Sequence, residues 1–362
     1  MTKLSNSLIV WLDEQVEGAG LLVGGKFSSL VELSNAGFGV PAAFAFTTKS
    51  YELFMQETGI DDLARETLHS LNRDDLIVVE AASETMRNAI ESEPLPEILS
   101  DAIASAYERL CEQVSVVDVP VAVRSSGVAE DLAGASFAGQ YDTYLWVIGL
   151  DQVVEHVRRC WAGLFGAAAL TYHPDADAPY SETGMAVVVQ QMVEARSAGV
   201  MFTLDPVTGD RSKIVIESTW GLGEAVVSGE VTPDRFRIDK VTLEIIERAI
   251  ATKHQEIRFE IGSGVQMRPV AEELQTESSL EDDTLGELAS LGKRIERHRG
   301  MPMDIEWAVD AHGRVHLLQG RPETVWSQKP VETLAVGNTS AISYVLGTFG
   351  AGGSSASSGT SA

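Results

Sequence analysis

Two carboxylates stand two positions apart in the run Asp304-Ile305-Glu306-Trp307. On a strand, residues two apart share a face, so both acids point one way while Ile305 and Trp307 point the other. Like charges on one face repel, and a cation between them relieves that repulsion. Shortly after comes Leu318-Gln319-Gly320-Arg321-Pro322, which adds a neutral amide oxygen and a guanidinium. Hard oxygen ligands with open coordination positions suit Mg²⁺ bridging phosphates. Asp304, Glu306 and Gln319 are therefore candidate metal ligands, with Arg321 on the same side for a phosphate. A solvated edge strand is the alternative reading of the same acids.

Much earlier in the chain, Val121-Ala122-Val123-Arg124-Ser125-Ser126 places one arginine at the end of an apolar strand. A guanidinium there can grip a phosphate bidentately, or it can pair structurally with Glu130 or Asp131. The loop that comes next, through Ala135-Ser136-Phe137-Ala138-Gly139-Gln140, is built of residues small enough for close backbone approach. Gly24-Gly25-Lys26 supplies backbone N–H groups near a helix start and one ammonium, a weak anion site. It lacks the glycine spacing of a P-loop and also reads as an ordinary helix start. Gln190-Gln191-Met192-Val193 ends an apolar strand. Its backbone edge and the Met192 side chain would suit an adenine, and a plain core strand is the competing reading. Taken together, these residues can hold a polyphosphate with its metal, which points to a nucleoside triphosphate.

Other chemistries find no support. None of the seven histidines sits in an active-site-like loop, no Cys/His spacing fits a metal, and no Gly-x-Ser-x-Gly element occurs.

The elements that must position these residues can be read from periodicity. Gly24-Gly25-Lys26 reads as a turn entering a helix with Phe27, Leu30 and Val31 on one face. Phe44–Thr48 reads as extended, with a helix near Ser50–Thr58. Residues 60–115 are mostly helical, Val119–Val123 and Thr143–Val147 are strands, and Gln152–Thr171 is an amphipathic helix. Further strands are expected at Met185–Met192, Gly199–Phe202, Lys213–Glu217, Phe236–Ile238, Leu243–Ala249, Asp304–Val309 and His316–Gln319, with a helix at Leu280–Arg299. The mixture argues an α+β fold of two lobes: residues 1–190 carrying Lys26 and Arg124, and residues 191–328 carrying the metal-binding strands. Residues 329–362 read as a flexible Gly/Ser-rich tail.

Composition narrows the partners. The formal charge of −26 argues against nucleic acid, which calls for a basic surface. No apolar run approaches the ~20 residues of a membrane span, and no secretory leader is visible. Two cysteines, Cys111 and Cys160, fit a reduced, cytoplasmic setting rather than a disulfide framework.

Several of these segments, in this order, resemble the N-terminal ATP-grasp nucleotide-binding domain of the phosphoenolpyruvate synthase and pyruvate phosphate dikinase family. The matching stretches are Gly24-Gly25-Lys26, Val40-Pro41, Phe44–Thr48, Val121–Gln140, Val187–Val193, Gly199–Pro206, Trp220-Gly221-Leu222-Gly223-Glu224 and Asp304–Arg321. They span about residues 15–326. The resemblance implies a two-lobed ATP-grasp fold with Lys26, Arg124 and Arg321 on the phosphates of ATP. It implies Gly139 and Thr143 lining the nucleotide pocket, with Gln190 and Met192 by the adenine. It also implies Mg²⁺ on Glu306 and Gln319, with Asp304 close by. The family cleaves ATP to AMP and orthophosphate and places the β-phosphoryl on a histidine of a swivelling domain, which then phosphorylates pyruvate or another small acceptor.

The family's Thr-x-His loop among glycines is absent from these 362 residues. The resulting expectation is the ATP-binding subunit of a split phosphotransferase, served by a phosphohistidine-bearing partner subunit that also binds the acceptor. Phenol, as in phenylphosphate synthase, is one acceptor of that architecture. An ATP-binding regulatory module without turnover and an ADP-forming ATP-grasp ligase are the competing expectations.

Overall fold

A computed structural model describes residues 7–14, 20–69, 71–127, 142–172 and 184–326. Its contacts divide the chain into Met1–Glu323 and Thr324–Ala362. The sheets, helices and cleft all belong to the first unit; of the second, only residues 324–326 are described.

The elements in chain order are β1 (Ile9–Trp11), α1 (Gly20–Asn35), β2 (Ala43–Phe46), α2 (Thr48–Glu57), α3 (Ile60–His69), α4 (Leu76–Ser92), α5 (Glu97–Val114), β3 (Val121–Gly127), β4 (Thr143–Val147), α6 (Leu150–Ala162), α7 (Ala167–Tyr172) and β5 (Met185–Gln191). They continue with β6 (Ala195–Phe202), β7 (Lys213–Trp220), α8 (Glu224–Val227), β8 (Asp234–Asp239), β9 (Ile245–Ala249), β10 (Gln255–Glu260), β11 (Gly264–Pro269), α9 (Asp282–Arg299), β12 (Met303–Asp310) and β13 (Val315–Pro322). The architecture is α+β and two-lobed. One sheet has the order β1-β2-β5-β3-β4 and the other β13-β12-β6-β7-β8-β9, with β10-β11 a separate hairpin.

In the first sheet the period of two sorts the side chains. Phe44, Phe46, Val121, Val123, Val187 and Val189 enter one core with α2–α6, closed around the fully buried Trp161. Ala43, Ala45 and Val188 face the other way and pack under Val23, Phe27, Leu30 and Val31 of α1. In the second sheet, Ile305, Trp307 and Val309 pack with Met201 against Leu285, Leu288 and Ile295 of α9. Leu33 and Phe38, at and beyond the end of α1, join that second core. The helix therefore touches both sheets, packing on β3, β5 and β13.

Four sequence expectations need correction. The helix expected at Gln152–Thr171 ends at Ala162, and a tight turn over Gly163–Phe165 with Gly166 separates it from α7. The strand expected at Val119–Val123 starts later and runs on through Gly127, so Arg124 lies mid-strand and not at a strand end. Counting apolar residues hides this, because Ser125 and Ser126 are buried with their hydroxyls satisfied by Asp142 O at 3.1 Å and Val23 O at 2.8 Å. Helix α1 begins at Gly20, ahead of the expected glycine turn, and Gly24 interrupts it with φ 68° and ψ 171°. The hairpin β10-β11 is an addition to the expected strands, although Ile257 and Phe259 alternate with charged residues and the turn holds Gly262, with Gly264 opening β11.

Candidate functional site

The site is a cleft of about 430 Å³ between the two sheets. From the first sheet it takes Ala122, Arg124, Thr143, Gln190 and Met192, with Lys26 of α1. From the second it takes Glu306, Gln319 and Arg321.

Register explains the convergence. Ala122 pairs with Gln190, and Arg124 with Val188 and Thr143, so Arg124, Ala122 and Gln190 share the face opposite the aromatic core. On the other side Glu306 pairs with Gln319 and Asp304 with Arg321 across adjacent antiparallel strands, which sets acid beside amide and acid beside guanidinium. The pairing slips between Glu306 and Trp307, so that Trp307 pairs with Leu317. The extra residue, Leu318, joins Gln319 in lining the cleft while Leu317 stays in the core.

Arg124 joins the two sides. Its Nη2 donates to Glu306 Oε2 at 3.1 Å and to Gln319 Oε1 at 2.8 Å, and its Nη1 to the Leu318 carbonyl at 3.2 Å. Its buried Nε has no hydrogen-bond partner among the described residues. Lys26 Nζ donates to Ser125 O at 3.0 Å, one residue along β3 from Arg124. Lys26 reaches that strand because Gly24 leaves the helical path against it. A Cβ on Gly24 would lie 2.3 Å from Ser126 O, and its φ of 68° is one that glycine adopts without strain.

Asp304 is not among the residues that line the cleft. It accepts from Arg321 Nε at 2.8 Å, directly beside it. Burial raises its pKa above the usual carboxylate range, opposed by the Arg321 charge. Thr143, Gln190 and Met192 line the cleft, and the Gln190 Nε2, buried, lacks a partner among the described residues. Gly139, and with it Glu130 and Asp131, lies outside the described residues.

Glu224 is a cleft residue that sequence reasoning passes over. It opens α8 at the cleft mouth, after Gly221-Leu222-Gly223. Partial burial raises its pKa, the Glu306 charge adds to that, and Arg124 opposes it. An acid after two glycines resembles any helix start, so nothing local separates it from a solvated first turn. The apolar end of the cleft is formed by Leu145, Met192, Val193, Leu222 and Leu318.

Two parts of the cleft lining thus differ in kind. One carries cationic side chains, an acid and an amide, while the other is an apolar slot edged by an unpaired amide donor. That division matches a nucleotide, whose phosphates want cations and whose base wants a flat apolar contact with few polar ones.

Comparison with known proteins agrees. Residues 21–340 match the family model described as "Pyruvate phosphate dikinase, AMP/ATP-binding domain". The chain belongs to that family. The resemblance seen in the sequence segments holds across nearly the whole chain, and the two-lobed α+β fold is the ATP-grasp type expected of this domain. Among curated proteins, the chain is 42% identical over 320 residues to a probable phosphoenolpyruvate synthase of Methanocaldococcus jannaschii, covering 88% of this chain and 27% of that one. It is 42% identical to phosphoenolpyruvate synthase of Aeropyrum pernix, covering 92% and 44%. It is 41% identical to rifampicin phosphotransferase of a Streptomyces species, covering 89% and 36%. The chain spans less than half the length of each. No helix among the described residues is long and apolar enough to cross a membrane.

Proposed function

We propose that this pyruvate phosphate dikinase-type AMP/ATP-binding domain binds ATP with Mg²⁺, cleaves it to AMP and orthophosphate, and passes the β-phosphoryl to a histidine outside these residues. The observation that carries the reading is the meeting of Lys26, Arg124, Glu306, Gln319 and Arg321 in one cleft, drawn from two sheets and a helix.

The donor set fits Mg²⁺. Glu306 and Gln319 turn oxygens toward a common point, and Arg124 already holds a positive charge 3.1 Å and 2.8 Å from them. Among the described residues no three His, Cys, Asp or Glu side chains cluster as a metal cage. A few protein oxygens, with the remaining positions left to phosphates and water, is what Mg²⁺ prefers. When bound, the ion neutralises phosphate charge and orients the chain of phosphates.

The residues themselves do the rest by position and charge. Lys26 and Arg124 reach the phosphates from the first sheet, and Arg321 from the second. Gln190 offers its amide N–H to an acceptor of the base, and Met192 lies flat against the ring. The receiving imidazole nitrogen attacks the β-phosphorus and the α–β bridging bond breaks to release AMP. Water then attacks the γ-phosphorus and the β–γ bridging bond breaks, releasing orthophosphate and leaving the β-phosphoryl on the imidazole.

The split arrangement is the finer part of this reading. A partner subunit bears the phosphohistidine and binds a small acceptor, of which phenol (as in phenylphosphate synthase) and pyruvate are the two chemistries in view. What supports an outside imidazole is that the described cleft lining holds no histidine. The test incubates the chain with Mg²⁺, ATP labelled at the β-phosphate and an extract of the source cells. AMP together with acid-labile label on a histidine-bearing polypeptide is the expected result. ADP without labelled protein would favour the ligase alternative. Binding without any turnover would favour a regulatory module.

A further inference from the structure

The apolar end of the cleft is backed by a contact that ties separate elements together. Trp146 of β4 stacks on Phe259 of β10, with ring centroids 5.0 Å apart and an interplanar angle of 12°. Both rings are half-buried. Behind Leu145, Met192, Val193, Leu222 and Leu318, the same apolar cluster holds Trp146, Ile257, Val265 and Met267. The wall of the slot thus leans on the hairpin β10-β11.

The backbone is bent to make this contact. Between β3 and β4, Val121 pairs with Val147 but Val123 with Tyr144, so β4 carries an extra residue. In a regular strand Leu145 and Trp146 would point to opposite faces. Here Tyr144 and Val147 stay with the first core while Leu145 and Trp146 both join the cleft cluster. Trp146 adopts φ 59°, a left-handed conformation that is strained for a bulky side chain. The hairpin is fixed from its other side as well. Leu222 N donates to Ile257 O at 2.9 Å, and a Cβ on Gly221 would lie 2.4 Å from that same carbonyl. The hairpin is therefore locked to the segment that brings Leu222 and Glu224 to the cleft.

We infer that the Trp146–Phe259 stack is a clasp that sets the width of the slot for the base, making these two residues positioning residues for nucleotide recognition. The inference rests on the reading of this cleft as a nucleotide site. The clasp holds Leu145, on the first sheet, at a fixed distance from Leu222, beyond the second. The clasp packs with the apolar cluster that walls the slot, so it governs the base end of the cleft.

The test compares two probes with Mg²⁺ present: ATP, and tripolyphosphate, which has phosphates but no base. Calorimetric titration of the unsubstituted chain comes first; if it binds no ATP, the nucleotide reading itself falls and the clasp with it. Given binding, Phe259→Ala should weaken ATP by roughly five- to tenfold, the worth of one aromatic pair, with tripolyphosphate unchanged. Phe259→Tyr, which keeps a stacking ring, should bind ATP like the parent. Trp146→Gly removes the ring while relieving the left-handed φ, which offsets only part of the packing lost, so it should lower thermal stability and lose ATP affinity while binding tripolyphosphate like the parent. Unchanged ATP affinity in Phe259→Ala and Trp146→Gly would overturn the clasp. So would an equal loss for both probes, since that would mark general support of the lobes.

Discussion

Arg124 and Glu306, on different sheets, form an ion pair at 3.1 Å with side chains only 13% and 22% exposed. The pair is one point at which the two lobes meet in charge, Arg299 with Glu32 being another, and Gln319 and the Leu318 carbonyl add to the arginine's bonding on the far side. A planar fork presents donors from two nitrogens in fixed directions to acceptors spread over two strands, whereas an ammonium gathers its three donors on one nitrogen. Arg124→Lys is therefore expected to lower ATP affinity at least about tenfold and stability by about 1–2 kcal/mol. Calorimetric titration and urea melts measure the two separately. A lysine variant with parental affinity would refute the role given to the fork.

Gly24 controls where Lys26 sits. Gly24→Ala introduces a methyl 2.3 Å from a backbone oxygen at φ 68°. The left-handed conformation alone costs about 1–2 kcal/mol for a residue with a Cβ, and the clash adds to it. Urea melts should show a loss above about 2 kcal/mol, and ATP titration should show weakened binding as Lys26 moves off β3. Loss of stability with full affinity would place Lys26 outside the binding set.

Asp205 gives a pH signature. Burial by itself would raise its pKa, but hydrogen bonds from the Val207 and Thr208 N–H groups and the charges of Arg237 and Arg235 outweigh that and hold it below the usual carboxylate range. The Arg237 contact is 2.8 Å, and the Asp205 side chain is 2% exposed. A depressed folded pKa means that the charged form is favoured on folding. Its stabilisation is complete above the unfolded value of about 3.9 and is lost as pH falls through the folded value. Asp205→Asn keeps an acceptor but removes the charge. It should cost about 2 kcal/mol near neutral pH, with the gap to the parent closing below about pH 4. Denaturant melts across that range decide it; a gap independent of pH would show that the charge contributes nothing.

Lys253 and Asp234 form an ion pair at 2.6 Å with both side chains fully buried. Asp234 also accepts from Ala251 N and from Ser279 N and Oγ, so this pair stitches β8 to two irregular segments. Removing one partner leaves a buried charge without its counter-ion. Lys253→Met should destabilise by about 3–5 kcal/mol, and Lys253→Met with Asp234→Asn should recover part of it. Urea melts of the single and double variants check this, and a near-neutral single variant would mean water reaches the carboxylate.

Much of the site was legible in the chain. Asp304 and Glu306 flanking Ile305 dictated a strand with acids on one face and apolar residues on the other, because a period of two admits no other sorting. Lys26, Arg124, Gln319 and Arg321 stood out by chemical type and neighbours, and the cleft brings them together. The family could be read from several short segments in order.

Other features depended on where strands slip. One extra residue in β4 turns Leu145 and Trp146 to the same side, and one in β13 does so for Leu318 and Gln319. Alternation along a single strand cannot reveal such a slip, because it is a property of the pair. Glu224 was illegible for a related reason: its burial and raised pKa come from Glu306 and from the walls of a cleft assembled by distant segments.

The sequence by itself determined the two lobes, the shared face of Asp304 and Glu306, and the family, since strand and helix periods are local and survive in any context. The tertiary structure alone decided that Arg124 would bind Glu306 and that Trp146 would reach Phe259. Those contacts join residues far apart in the chain, and only the packing of α1 and the hairpin against both sheets fixes their distance.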